Sequence, residues 1–145
     1  MTDLAPPISH ILIIDDEEDC NFVTRLVLQR SGYQGTVTCF TSAMVALQHL
    51  EQSTPPPDLI FLDINMPGMT GFEFLGACEQ AALLPNGLTS VVMFSSSNRP
   101  CEVEQAERHG CVIGYVEKAL TTEAFERMTQ KHARQRGGVN FDTRS

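Results

Sequence analysis

Asp58-Leu59-Ile60-Phe61-Leu62-Asp63, running on into Ile64-Asn65-Met66-Pro67-Gly68, is the stretch whose reading decides the fold. Its apolar run is too short for a helix and ends at once in a Pro/Gly-rich loop, so it predicts a strand buried on both faces. Three further runs have the same character: His10 to Asp15 (HILIID), Ser90 to Ser95 (SVVMFS) and Val112 to Lys118 (VIGYVEK). Thr36 to Phe40 is a weaker fifth. Helical patterns alternate with them over Glu18–Arg30, Thr41–Glu51, Gly71–Gln80, Pro100–His109 and Thr121–Arg134. The first of these presents Phe22, Val23, Leu26 and Val27 as its apolar face, and the second Met44, Val45, Leu47 and Leu50. Thr41 and the Thr121-Thr122 pair suit helix N-caps, and Gly32 suits a helix stop.

Strand and helix thus alternate five times, and nearly all-apolar strands in that order call for a parallel sheet covered on both faces. The expected fold is α/β, a flavodoxin-like doubly wound five-stranded parallel sheet in the order 2-1-3-4-5. Its ligand site must lie at the carboxyl ends of the strands, near the switch between the first and third. The residues that end the central strands are Asp15 with Asp16, then Asp63, Ser95 and Lys118. Two carboxylates about 4 Å apart repel by roughly 4 kcal/mol at an effective dielectric near 20, and a third adds to that cost. A hard divalent ion with oxygen ligands relieves it, and Mg²⁺ characteristically accepts one or two carboxylates and leaves positions for phosphate oxygens. Asp63, ending the central strand beside a loop that leaves room for a donor, is then the candidate nucleophile. Ser95 and Lys118 are placed to meet phosphoryl oxygens where transition-state charge grows.

These residues resemble the response-regulator receiver domains of two-component signalling. The resemblance is carried by the acidic pair in Ile13-Ile14-Asp15-Asp16, the Asp63-Ile64-Asn65-Met66-Pro67 segment with Gly71, Ser95 ending the fourth strand, and Tyr115 three positions before Lys118. It implies that Asp63 is the phosphoacceptor, and that Asp15, Asp16, Asp63 and the backbone carbonyl of Asn65 hold Mg²⁺, with Mn²⁺ as a substitute. It also implies a switch in which the Ser95 hydroxyl moves toward the phosphoryl group and Tyr115 turns inward, remodelling the surface of helix four, strand five and helix five. The chain would then be a phosphoacceptor that assists its own phosphorylation and dephosphorylation, rather than an enzyme acting on other molecules. Its partners would be a histidine kinase or histidine phosphotransfer protein and a downstream protein target, with homodimerisation through the switch surface. Two departures stand out. Lys118 is followed by Ala119, where the family carries a proline in a cis peptide; a non-proline cis bond costs about 3–4 kcal/mol, so a trans bond is expected. The stretch from Ser95 to Lys118 is also about one residue longer than is common, with the extra residue placed near Cys111 to Ile113.

Ten Lys+Arg against 18 Asp+Glu, a formal net charge of −8, repel a phosphate backbone and argue against direct nucleic-acid binding. No apolar run approaches the roughly 20 residues of a membrane helix, and the N-terminus lacks the layout of an export signal, so a cytoplasmic protein is expected. Five cysteines without CxxC pairing read as small buried hydrophobes in a reducing compartment. Each site residue also has an ordinary reading: Asp15-Asp16 as a solvated helix start, Lys118 as a surface cation, Tyr115 as a core-edge aromatic with its hydroxyl in water. Their shared position at strand ends outweighs those readings. None of His10, His49, His109 and His132 lies at that rim.

The domain reading is an extension over residues 1–9, a receiver-like domain over 10–134 and a flexible tail over 135–145, with no fused output domain. Two rival functions remain. A haloacid-dehalogenase-type phosphatase would need a second aspartate two positions after the nucleophile, where this chain has Asn65, which cannot transfer a proton. A receiver-like module that docks without being phosphorylated would have no need of the retained acidic residues.

Overall fold

The computed structural model describes residues 8–52, 56–84, 88–95 and 100–138. Five strands, β1 (His10–Ile14), β2 (Thr36–Phe40), β3 (Leu59–Asp63), β4 (Ser90–Ser95) and β5 (Val112–Glu117), alternate with α1 (Glu18–Arg30), α2 (Ala43–Gln52), α3 (Gly71–Gln80), α4 (Pro100–Glu107) and α5 (Thr122–Gly138). The strands form one parallel sheet in the order β2-β1-β3-β4-β5, the flavodoxin-like arrangement expected from the sequence.

Strand alternation divides the core into two layers. Leu12, Ile14, Ile60, Leu62, Val91 and Met93 pack on one side with Ala46, Leu50, Phe74 and Leu75. Ile11, Ile13, Leu59, Phe61, Val92 and Phe94 pack on the other with Leu28, Phe125 and Met128. Because consecutive strand residues face opposite layers, both layers being dry explains why β1, β3 and β4 read as unbroken apolar runs.

Two helical faces differ from the apolar stripes in the sequence. The buried face of α1 is Asn21, Thr24 and Leu28, and that of α2 is Ala43, Ala46 and Leu50. Phe22 is 64% exposed, and Val23, Leu26, Met44 and Val45 are exposed as well. Each buried face combines one leucine, Leu28 or Leu50, with small or polar residues. Asn21 also donates from Nδ2 to the Asp15 carbonyl at 3.1 Å, which ties α1 to the end of β1. The cap of α2 likewise falls one residue beyond Thr41, at Ser42, whose Oγ accepts from Val45 N–H at 3.3 Å. Thr121 does cap α5, accepting from Ala124 N–H at 3.1 Å. Gly32, at the end of α1, has φ +86°, the left-handed conformation that favours glycine at a helix stop.

Between β4 and β5 the register slips: Val91 pairs with Val112 and Val92 with Gly114, so Ile113 is a bulge. The bulge falls within the Cys111 to Ile113 stretch where the additional residue is expected, and Tyr115, Val116 and Glu117 pair regularly after it. Helix α5 continues past Arg134 to Gly138, into the segment read as a flexible tail; residues 139–145, like 1–7, lie outside the described residues. Among the described residues, no helix is long and apolar enough to cross a membrane.

Candidate functional site: an acidic rim with one lysine

The register of the sheet builds the site. Ile14 pairs with both Phe40 and Leu62, Asp63 pairs with Phe94, and Ser95 with Glu117, so β1, β3, β4 and β5 end at one rim. Asp15 follows β1, Asp63 closes β3, Ser95 closes β4 and Lys118 follows β5. One ligand atom from each of Asp15, Asp16 and Asp63 lies within 4.8 Å of the others, the convergence that the spacing in the sequence predicts. Asp15 is fully buried, Asp63 is 4% exposed, and Asp16 is partly exposed at the mouth.

Lys118 crosses the rim to this cluster. Its Nζ lies 2.6 Å from Asp15 Oδ2 and 3.3 Å from Asp63 Oδ1, and 5.6 Å from the centroid of the Phe94 ring. One ammonium thus faces two buried carboxylates, which leaves the charge uncompensated. Burial pushes the Asp63 carboxyl up, to about 6, and Asp15 adds to the rise; the Lys118 charge and hydrogen bond, with the Asn65 N–H, oppose it. Burial works against the Lys118 charge, but the hydrogen bond and charge of Asp15, followed by the charge of Asp63, hold its ammonium above the ordinary lysine range. An oxygen-only donor set with excess negative charge in a nearly dry pocket fits a hard divalent cation.

The loops that carry these groups are closely held. Glu17 N–H donates to Asp15 Oδ1 at 3.0 Å, orienting the carboxylate immediately after β1. After Asp63 the chain turns through Ile64, whose N–H donates to the Phe94 carbonyl at 3.2 Å, and Gly71 N–H donates back to the Ile64 carbonyl at 2.8 Å. A Cβ on Gly71 would collide with the Asp63 carbonyl and come within 3.1 Å of Ile64 Cα, so a glycine is needed for α3 to start this close to the site. Thr70 and Glu73 form a capping box that begins α3 there. Asn65 is exposed on that loop.

The Lys118–Ala119 peptide is cis, contrary to the trans bond expected from the sequence. Contacts on both sides hold the chain in place. Lys118 N–H donates to the Ser95 carbonyl at 2.7 Å, its Nζ meets Asp15, and Leu120 is buried in the core. Ser95 is fully buried at the end of β4. Tyr115, on β5, is partly buried, and its hydroxyl donates to Glu102 Oε1 at 3.0 Å.

Matches to known proteins point the same way. The family model for the response regulator receiver domain matches residues 11–130. The chain belongs to that family. "Two-component response regulator ARR14" of Arabidopsis thaliana is 32% identical over 145 residues, all of this chain but 36% of that protein, so the chain spans about a third of this curated relative. An uncharacterised 14.6 kDa protein of Leptolyngbya boryana is 30% identical over 122 residues, 84% of this chain and 88% of its own length. Among solved structures, a two-component response regulator from Cytophaga hutchinsonii superposes with a TM-score of 0.80 at 29% identity, covering 88% of this chain and 98% of that one. A chemotaxis protein CheY4 of Vibrio cholerae gives 0.68 at 26% identity, covering 86% and 98%.

The receiver domain also has groups at its rim that the sequence patterns do not reveal. The Cys20 thiol lies 3.0 Å from Glu17 Oε1 and 4.0 Å from Lys118 Nζ. Burial, with the hydrogen bond to Glu17, pushes that thiol up to about 11, so it stays protonated at neutral pH. Its place beside the site follows from the first turn of α1, and no motif around it announces this. Glu102 is equally silent in sequence, since its partner Tyr115 is thirteen residues away on another element. Of the histidines, His109 pairs with Glu79 at 2.7 Å, and His132 is buried with its Nδ1 2.7 Å from Ser90 Oγ, at the end of β4 opposite Ser95.

Proposed function

We propose that this receiver domain takes a phosphoryl group from a phosphohistidine donor onto Asp63 and uses it to change a protein-docking surface. The observation that carries the reading is the convergence of Asp15, Asp16 and Asp63 at one rim, with Lys118 bridging two of them. In the transfer, an Asp63 carboxylate oxygen forms the new bond to phosphorus as the phosphorus–nitrogen bond to the donor imidazole breaks, and the imidazole keeps the electron pair. Asp15, Asp16 and Asp63, with the Asn65 carbonyl, are the groups that would hold Mg²⁺, or Mn²⁺ in its place. When bound, the ion neutralises carboxylates and incoming phosphoryl oxygens that would otherwise repel one another.

The protein's own groups do the remaining work. Lys118, already charged between two carboxylates, is positioned to accompany a phosphoryl oxygen as negative charge grows on it. The buried setting strengthens that attraction relative to water. Ser95 supplies a hydroxyl at the end of the neighbouring strand, and Tyr115, one residue after Gly114 on β5, supplies the movable ring. The donor is a histidine kinase or a histidine phosphotransfer protein, and the reader is a downstream protein.

The test is chemical. Incubation with phosphoramidate or acetyl phosphate and Mg²⁺, followed by intact-mass measurement, should show one added phosphoryl group that Asp63→Asn abolishes. An absent adduct in the wild-type protein would leave a module that docks without phosphorylation.

A further inference from the structure

We propose that Glu102 is the positioning residue of the switch tyrosine: its carboxylate fastens Tyr115 to helix α4 in the resting protein, and this fastening opposes phosphorylation of Asp63. The inference rests on the phosphoacceptor reading above for the event that moves the ring.

Tyr115 pairs with Met93 on β4, two residues before Ser95, so its backbone is fixed close to the site while its ring packs against the core layer that includes Ile64, Met66 and Ala106. An aromatic ring at such an edge can adopt more than one rotamer at similar cost unless something selects one. Here the selecting group is an anion. The hydroxyl donates to Glu102 Oε1 at 3.0 Å, a hydrogen bond to a charged acceptor in a partly buried setting. Glu102 sits in the first turn of α4, where the helix dipole favours a negative charge.

The same carboxylate borders a cleft formed with Ile64, Asn65, Thr70, Phe72 and Gln105. That cleft opens on the loop which leaves Asp63. Glu102 therefore lies on helix α4, beside a cleft shared with the loop after β3, and is hydrogen-bonded through Tyr115 to strand β5. Rotation of the ring must break its hydrogen bond to α4, and the energy of that bond favours the resting arrangement. By linkage, whatever phosphorylation gains by moving Tyr115 it must repay at Glu102, and removing the carboxylate should make the phosphorylated-like state easier to reach.

The chain has two tyrosines and no tryptophan, so in a Tyr33→Phe background the ultraviolet emission reports Tyr115 alone. A carboxylate that accepts a hydrogen bond from the phenol quenches tyrosine emission, so that emission reports the contact directly, and circular dichroism of the same variants shows whether α4 is retained. Glu102→Ala in this background should brighten the unphosphorylated protein. It should also tighten binding of beryllofluoride with Mg²⁺, a stable phosphoryl mimic, by about threefold to tenfold, the share of a charge-assisted hydrogen bond that survives partial exposure. Glu102→Gln, which keeps an acceptor oxygen but not the charge, should fall between the two. Emission from Glu102→Ala indistinguishable from its parent overturns the inference, as does brighter emission with unchanged beryllofluoride affinity. Failure of Asp63 to form any adduct in the mass experiment would overturn the phosphoacceptor reading instead, and the resting emission would still decide whether Glu102 holds the ring.

Discussion

Replacing Asp63 by asparagine should stabilise the metal-free protein at neutral pH, although it destroys the proposed phosphoacceptor. Asp63 is 4% exposed, and burial together with Asp15 raises its carboxyl from 3.8 to about 6, a net value that already includes the attraction of Lys118. A raised folded-state value means that the native protein holds this proton more tightly than the unfolded chain. Stability from this group is therefore complete below pH 3.8, declines as pH rises through the interval to about 6, and is lowest above it. A shift of roughly two units at about 1.4 kcal/mol each corresponds to about 3 kcal/mol. Asparagine mimics the neutral form and should recover about 2–3 kcal/mol at pH 7.5, which in a domain of this size raises Tm by about 6–10 °C. Thermal unfolding followed by circular dichroism in EDTA, for wild type and Asp63→Asn at pH 7.5 and pH 4, measures both the magnitude and its pH dependence. A variant no more stable than wild type at pH 7.5 refutes the reasoning, and so does an advantage that persists undiminished at pH 4.

Three other outcomes follow from the same geometry. Mg²⁺ should raise the Tm of the unphosphorylated protein relative to EDTA, with about 2.7 kcal/mol gained at a hundredfold excess over Kd, and Asp16→Asn should blunt the rise; a midpoint moved by neither ion nor mutation contradicts the metal assignment. Gly71→Ala forces a methyl group against the Asp63 carbonyl, so it should cost about 1–3 kcal/mol in chemical denaturation and slow adduct formation on Asp63. Leu28→Ala should cost about 2–5 kcal/mol, whereas Phe22→Ser should stay within about 0.5 kcal/mol; equal losses would show that the exposed stripe of α1 contributes to the fold.

Much of this receiver domain could be read before any coordinates. Strands buried on both faces are apolar through their interiors, so β1, β3 and β4 are marked by composition alone, and the Asp15 that follows β1, with Asp63 and Ser95 closing β3 and β4, marks the rim. The alternation of strand and helix then leaves few topologies, and the acidic residues fall at the one sheet edge where such folds bind ligands. Helix faces were less legible. An amphipathic pattern records where apolar residues are, and in α1 it points to Phe22, Val23 and Leu26, yet the sheet accepts Asn21, Thr24 and Leu28. Which face turns inward depends on the depth available between helix and strands, and that depth is a property of the packed pair.

What the chain determined by itself was the set of chemical groups and their order: carboxylates at the ends of β1 and β3, a hydroxyl at the end of β4, an ammonium after β5. Only the tertiary structure decided the relations between elements. It set Lys118 Nζ 2.6 Å from Asp15, bent the Lys118–Ala119 peptide to cis, put the Cys20 thiol beside that lysine and joined Tyr115 to Glu102. The physical reason is one of range. Apolar periodicity and capping act within a few residues along the chain and leave a trace in sequence, whereas ion pairs and hydrogen bonds between side chains depend on angles and distances that exist only after the sheet has closed its register.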